Sequence, residues 1–212
     1  TEYSARMIED YLLQRSIRTS IFASRRDLIG LSAIFNRAVK DGYLIKSPTA
    51  GIKRIKLPEI QPTFFSQEEL DKLMRAMNDN QDLCDLTIVA VNTGLRYAEL
   101  ISLTWTQIDF QNKFVILNNQ THITKSKKIR SIPLNSDAFK ILEKRYRNQS
   151  QNNLNVVFTM FEKPLNPNTL SQHFKKYVIS CGINPKLHFH SLRHTFASFL
   201  VQSGCSIYVV SK

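Results

Sequence analysis

Residues 51–63 read Gly-Ile-Lys-Arg-Ile-Lys-Leu-Pro-Glu-Ile-Gln-Pro-Thr, and this stretch divides the chain. Two prolines and the lack of a helical period argue against a helix, and Lys53, Arg54 and Lys56 favour an extended, solvated strap. On either side, apolar residues recur at helical spacing. A chain so divided is expected to fold as two units, a small helical domain over residues 1–58 and a larger domain over 63–212, with 59–62 as the connector.

In the first unit the spacing predicts helices over 3–16 and 22–42. The second carries its apolar stripe on Leu28, Leu31, Ile34, Phe35, Ala38 and Val39, and Gly42 with Ser47-Pro48 ends it. In the second unit Ser66 and Glu69 form a Ser-x-x-Glu capping box ahead of Leu70, Leu73 and Met74. Further helices are expected over about 82–92, 96–103, 135–149, 167–180 and 191–202. Phe114–Leu117 and Ile129–Ile132 read as short strands joined by a polar, basic tip. The fold class is therefore mainly α with one small antiparallel β-sheet (α+β).

Charge narrows the partner. Lys and Arg number 29 against 17 Asp and Glu, a net charge of +12, which suits a polyanion: nucleic acid first, an anionic membrane face second. No apolar run approaches the roughly 20 residues of a membrane span, and Thr1 to Asp10 lack a signal-peptide pattern. Cys84, Cys181 and Cys205 are odd in number and in no metal-ligand spacing, so they read as reduced thiols of a cytoplasmic protein.

Three separated segments present basic groups. In Thr93-Gly-Leu-Arg96-Tyr-Ala-Glu99-Leu100, Gly94 lets the chain turn and Arg96 emerges three residues before Glu99, where the two can meet. Alone, this could be a surface ion pair closing a helix. Between Asp109 and Asp137 there is no acidic residue, while Lys113, Lys125, Lys127, Lys128 and Arg130 all fall there. That tip could follow a DNA groove and touch phosphates, or it could be a solvated loop. In His188-Phe-His190-Ser-Leu-Arg193-His194-Thr-Phe-Ala, His190 and Arg193 sit three apart at a helix entry and can face one point.

Thr93-Gly-Leu-Arg96-x-x-Glu-Leu100 followed by His190-x-Leu-Arg193-His194-Thr-Phe-Ala resembles the two signature boxes of the tyrosine recombinase (phage integrase) family. The lysine-rich segment before Ile132-Pro133-Leu134 is similar to that family's β-hairpin lysine segment, and Phe35–Lys40, Lys46–Pro48 and Gly51–Arg54 to the end of its core-binding domain. The resemblance covers nearly the whole chain. It implies a C-shaped clamp on double-stranded DNA, and strand cleavage and rejoining through a 3′-phosphotyrosyl link with a free 5′-hydroxyl. No metal or nucleotide cofactor is needed.

The same resemblance implies roles for individual residues. Arg96 and Arg193 would fork onto the non-bridging phosphate oxygens. Lys125 would be the general acid, with Lys127 and Lys128 as rivals. His190 would assist proton transfer or orient the phosphate, and Glu99 would buttress Arg96. Candidate DNA contacts are Arg25, Arg26, Lys53, Arg54, Lys56, Lys127, Lys128 and Arg130. His194 is expected to face elsewhere as a structural residue, His122 and His188 have no assignable role, and Trp105 is expected in the core.

The family's second His or Trp and its nucleophilic Tyr are expected beyond Lys212, so the sequence reads as a fragment that binds DNA without cleaving it alone. Tyr208, Tyr97 and Tyr146 sit in no nucleophile motif. A tyrosine donated by a neighbouring subunit would be an exception. The intact enzyme is expected to work as a tetramer on DNA, with possible directionality factors, in a bacterial or phage-encoded setting. One rival is a non-catalytic DNA-binding relative of the same fold. A metal-dependent nuclease would need clustered carboxylates that these boxes do not supply. A type IB topoisomerase shares the chemistry, but the basic N-terminal helical unit resembles integrases more.

Overall fold

The computed structural model describes residues 3–59, 61–117, 129–148, 155–160 and 163–210. The chain forms two compact units, Thr1–Gln61 and Pro62–Lys212.

In the first unit, helices α1 (Ala5–Arg18) and α2 (Ile21–Lys40) each start on a serine, Ser4 and Ser20, whose hydroxyl accepts a backbone N–H of the first turn. The two pack as a hairpin around Ile8, Leu12 and Leu28, with Leu31 and Phe35 alongside. Ser24 Oγ donates to the Leu12 carbonyl at 2.8 Å, and Asp27 accepts from Arg15 Nε at 2.8 Å and Tyr11 Oη at 2.9 Å. The strap is anchored here, since Ile52 and Ile55 pack on this core while Lys53, Arg54 and Lys56 between them stay exposed. One apolar position departs from the expected stripe: Ile34 is 65% exposed, because it lies at the edge of the arc that faces α1.

The second unit is built around α4 (Gln81–Thr93), a helix buried on most of its circumference through Leu83, Leu86, Val89, Ala90 and Val91. Against it pack α6 (Ser136–Arg147) and α8 (Ser191–Gln202). Helix α3 (Gln67–Ala76) opens with the Ser66–Glu69 capping box, both halves of which are formed. Asn166 caps α7 (Pro167–Ser180), with Pro167 in the first turn, where a missing N–H costs nothing. Helix α5 spans Tyr97–Ile101, shorter than its pattern suggests, and α9 is a single turn at Ile207–Val210.

Strands β1 (Ile108–Asp109), β2 (Phe114–Leu117) and β3 (Arg130–Pro133) form an antiparallel sheet in the order β1-β2-β3, with Val115 opposite Ile132 and Leu117 opposite Arg130. A second, two-residue ribbon pairs β4 (Thr159–Met160) with β5 (Lys163–Pro164). The sequence pattern did not anticipate β1 or this ribbon, since two residues are too few to show alternation. Trp105 is half-buried, its ring edge-on to Tyr146 at 5.3 Å. All three cysteines are free thiols. Among the described residues no helix is long and apolar enough to cross a membrane.

One buried hydrogen bond ties the entry of this unit to α8. Phe65 N–H donates to Thr195 Oγ1 at 2.9 Å, and that hydroxyl donates to the Ser191 carbonyl at 2.9 Å; Phe65 and Thr195 are fully buried. Thr195→Val keeps the shape but strands the Phe65 N–H, and is expected to lower unfolding free energy by about 1–3 kcal/mol. Urea denaturation checks this; an unchanged midpoint would show that the bond contributes nothing.

Candidate active site

Helix α4 ends at Thr93, and Gly94 reverses the chain in the left-handed region, at φ 61°. A Cβ there would overlap the Phe196 ring of α8, so glycine is required by both conformation and space. The turn delivers Arg96 as the N-cap of α5, and Glu99 closes that cap from within. Its Oε2 accepts the Arg96 backbone N–H at 2.8 Å and its Oε1 accepts Arg96 Nη1 at 2.9 Å.

Glu99 has a second cationic partner. Arg130, the first residue of β3, donates Nη2 to Glu99 Oε2. The carboxylate is 4% exposed, so two guanidiniums from different elements compensate one buried charge. Burial pushes the Glu99 carboxyl up, but the hydrogen bonds from Arg96 and the charges of Arg130 and Arg96 outweigh it and hold the group below its ordinary range.

Arg193 enters from the first turn of α8 and donates Nη1 to the Gly94 carbonyl, which joins the two basic boxes. Burial is the main influence lowering its pKa, followed by the positive charges of Arg96 and Arg130, while Glu99 works in the opposite sense. The guanidinium remains charged at any physiological pH.

His190 stands at the N-terminus of α8. Phe189, just before it, is buried and packs edge-on to Tyr97 at 5.2 Å and to Phe174 at 5.1 Å. Tyr97 directly follows Arg96, and its hydroxyl donates to the Pro167 carbonyl at 2.5 Å. This aromatic row therefore fixes the spacing between the Arg96 turn and the His190 turn. His188 is held by Ser191, whose Oγ accepts the His188 N–H at 3.2 Å and meets its Nδ1 at 2.9 Å.

His194 does not face elsewhere. It lies one helical turn after His190, on the same face, with the two rings edge-to-face at 5.3 Å. Burial, then the charges of His194, His188, Arg193 and Arg96, push the His190 pKa down, which favours the neutral ring.

Arg96, Glu99, His190 and Arg193, expected together, are brought together, and Arg130 joins them. Its placement was readable in one signal only: strand alternation puts Arg130 on the same face as Ile132, which packs on the core. Lys125, Lys127, Lys128 and His122 lie outside the described residues. The chain leaves β2 at Leu117 and enters β3 at its partner Arg130, so the lysine segment is joined at the edge of this site. In the other unit, Arg26, Lys53, Arg54 and Lys56 are exposed and Arg25 is half-buried on α2. Among the described residues no group of three or more His, Cys, Asp or Glu side chains is placed to hold a metal ion.

The arrangement is that of a mainly α domain whose separated segments converge cations on one point around a buried carboxylate. The sequence pattern of the phage integrase family matches residues 63–212. A tyrosine recombinase of Pseudothermotoga lettingae is 30% identical over 207 residues, covering 96% of this chain and 70% of the relative. A tyrosine recombinase XerC-like protein of Caldanaerobacter subterraneus subsp. tengcongensis is 29% identical, covering 86% of this chain and 56% of the relative. The chain thus spans between about half and 70% of these relatives' lengths. In fold, it matches lambda integrase as a dimer bound to a COC′ core site, with a TM-score of 0.82 at 18% identity over 99% of this chain and 77% of that one. Lambda integrase as a tetramer bound to a Holliday junction also matches, at 0.80 and 19%, over 99% of this chain and 63% of that one. The chain belongs to the tyrosine recombinase (phage integrase) family.

The electrostatics of the site can be read directly by NMR. The His190 imidazole is expected to titrate below the ordinary histidine value of 6.5. Arg193→Gln should raise the midpoint only part of the way back, because burial is the larger cause. A midpoint at or above 6.5 in the unsubstituted protein would show that burial and the neighbouring charges do not govern this ring.

Proposed function

We propose that this chain is the core of a site-specific DNA recombinase that cuts and rejoins strands through a 3′-phosphotyrosyl intermediate. The observation that carries the reading is the convergence of two segments, Arg96 held by Glu99 from one and Arg193 with His190 from the other. Phosphoryl transfer needs little covalent help from the protein; positioning and stabilisation of charge on the phosphate oxygens do most of the catalysis.

In this reading Arg96 and Arg193 each direct planar N–H donors at the non-bridging oxygens of one phosphodiester. Arg96 is the more open of the two, with its side chain 53% exposed, so it can redirect donors to a phosphate while Glu99 holds its backbone. A neutral His190 donates one hydrogen bond to a phosphate oxygen without adding to the cationic repulsion. Lys125 gives a proton to the departing 5′-oxygen, with Lys127 or Lys128 as substitutes. The attack itself falls to a tyrosine hydroxyl, which displaces the 5′-oxygen from the phosphorus. Tyr97 is unsuited, since burial raises its pKa and its hydroxyl is committed to Pro167.

Double-stranded DNA is the proposed substrate, with Arg25, Arg26, Lys53, Arg54, Lys56, Lys127 and Lys128 touching the backbone. A tetramer on DNA, as in the lambda integrase structure on a Holliday junction, is the proposed assembly, with directionality factors as further partners. A bacterial or phage-encoded protein acting in the cytoplasm fits this chemistry.

The test uses the full product of the encoding gene and a duplex selected by binding from a random library. Covalent protein–DNA complexes, trapped by denaturation, are expected to form equally well in excess EDTA. Arg193→Ala should reduce them at least about 100-fold while retaining DNA binding. Undiminished linkage in that variant would overturn the site assignment, and loss of cleavage in EDTA would point to a metal nuclease.

A further inference from the structure

Glu99 is an awkward residue for a phosphate site. A buried carboxylate repels the anion that the surrounding arginines attract, and it does so more strongly in the partly desolvated interior than it would in water. Arg96 can offset that charge only while it stays turned toward Glu99, yet Arg96 is also the more open guanidinium available to a ligand. Arg130 resolves the conflict. Its side chain is half as exposed, at 26%, and donates to the carboxylate oxygen that also takes the Arg96 backbone N–H. Arg193 senses the charges of both Arg96 and Arg130, so the three guanidiniums lie within electrostatic reach of one another.

We infer that Arg130 is a positioning residue for the phosphoryl transfer and not a DNA-backbone contact. It keeps Glu99 compensated when Arg96 turns to the phosphate. Because it is also the first residue of β3, it holds the base of the lysine-bearing connection against the turn that carries Arg96. A contact to DNA would call for an outward guanidinium; the one observed is directed into the unit, on the same strand face as Ile132.

The inference rests on the recombinase reading, and the experiment separates the two. In the full-length protein, covalent-complex formation is timed at saturating duplex, and DNA affinity is measured across a salt series. Arg130→Ala is expected to slow linkage on the order of 30-fold while leaving affinity within about threefold and the salt slope unchanged. Arg130→Lys, which keeps the charge but not the fork, should recover part of the rate and guards against a fold defect.

Adding Glu99→Gln to Arg130→Ala should make the enzyme faster than Arg130→Ala alone, because the uncompensated charge is gone. A purely structural Arg130 would give no such recovery, and that result would overturn the proposal. So would an unchanged rate, with or without weaker binding and a salt slope smaller by about one. Absence of covalent complexes in the unsubstituted protein would instead overturn the recombinase reading. The Arg96 Nε–Hε resonance of the DNA-free chain then decides on Arg130: displacement in Arg130→Ala upholds the tether, and an unmoved resonance overturns it.

Discussion

The Glu99 carboxylate is the hub of the second unit's polar architecture. It caps α5 through the Arg96 backbone N–H, holds the Arg96 side chain, and takes a hydrogen bond from Arg130 on the sheet. The helix with its leading turn, and a strand 31 residues further on, are thereby referred to one pair of oxygen atoms. Such a buried ionic cluster is a poor source of net stability, since desolvation cancels much of the attraction. Its value lies in geometry: Arg96 and Arg130 share one buried acceptor, so each is held in place by the carboxylate that the other also compensates.

A second constraint is steric. Gly94 lets α4 and α8 approach so closely that the Phe196 ring fills the space a side chain would need, and the same approach brings the Gly94 carbonyl to Arg193. The aromatic row of Tyr97, Phe189 and Phe174 does the corresponding work for His190. Packing of ordinary core residues thus sets the spacing between cations that would otherwise repel. Apolar contacts compensate the cost of holding Arg96, Arg130 and Arg193 together, with Glu99 supplying the negative charge among them.

Much of this could be read before any coordinates. The limits of α7 and α8 follow from Asn166-Pro167 and from the apolar period after His190, and α3 follows from Ser66 and Glu69. The basic boxes were visible together and in order, since the Arg96–Glu99 pair alone could equally close a surface helix. Long-range pairing was not visible. Arg130 meets Glu99 across 31 residues, and strand alternation with Ile132 gives its face but not its partner. His194 meets His190 because four-residue spacing, not adjacency to Arg193, governs which side chains meet on a helix. Ile34 is the opposite case, an apolar residue of the expected stripe that the first unit leaves in solvent.

The most direct test of the account is a structure of the full-length protein on a duplex it cleaves. One phosphodiester should lie within hydrogen-bonding distance of both Arg96 and Arg193, about 3 Å, with Glu99 still bonded to Arg130. A phosphate held by only one of those arginines, or a Glu99 that has released Arg130, would contradict it.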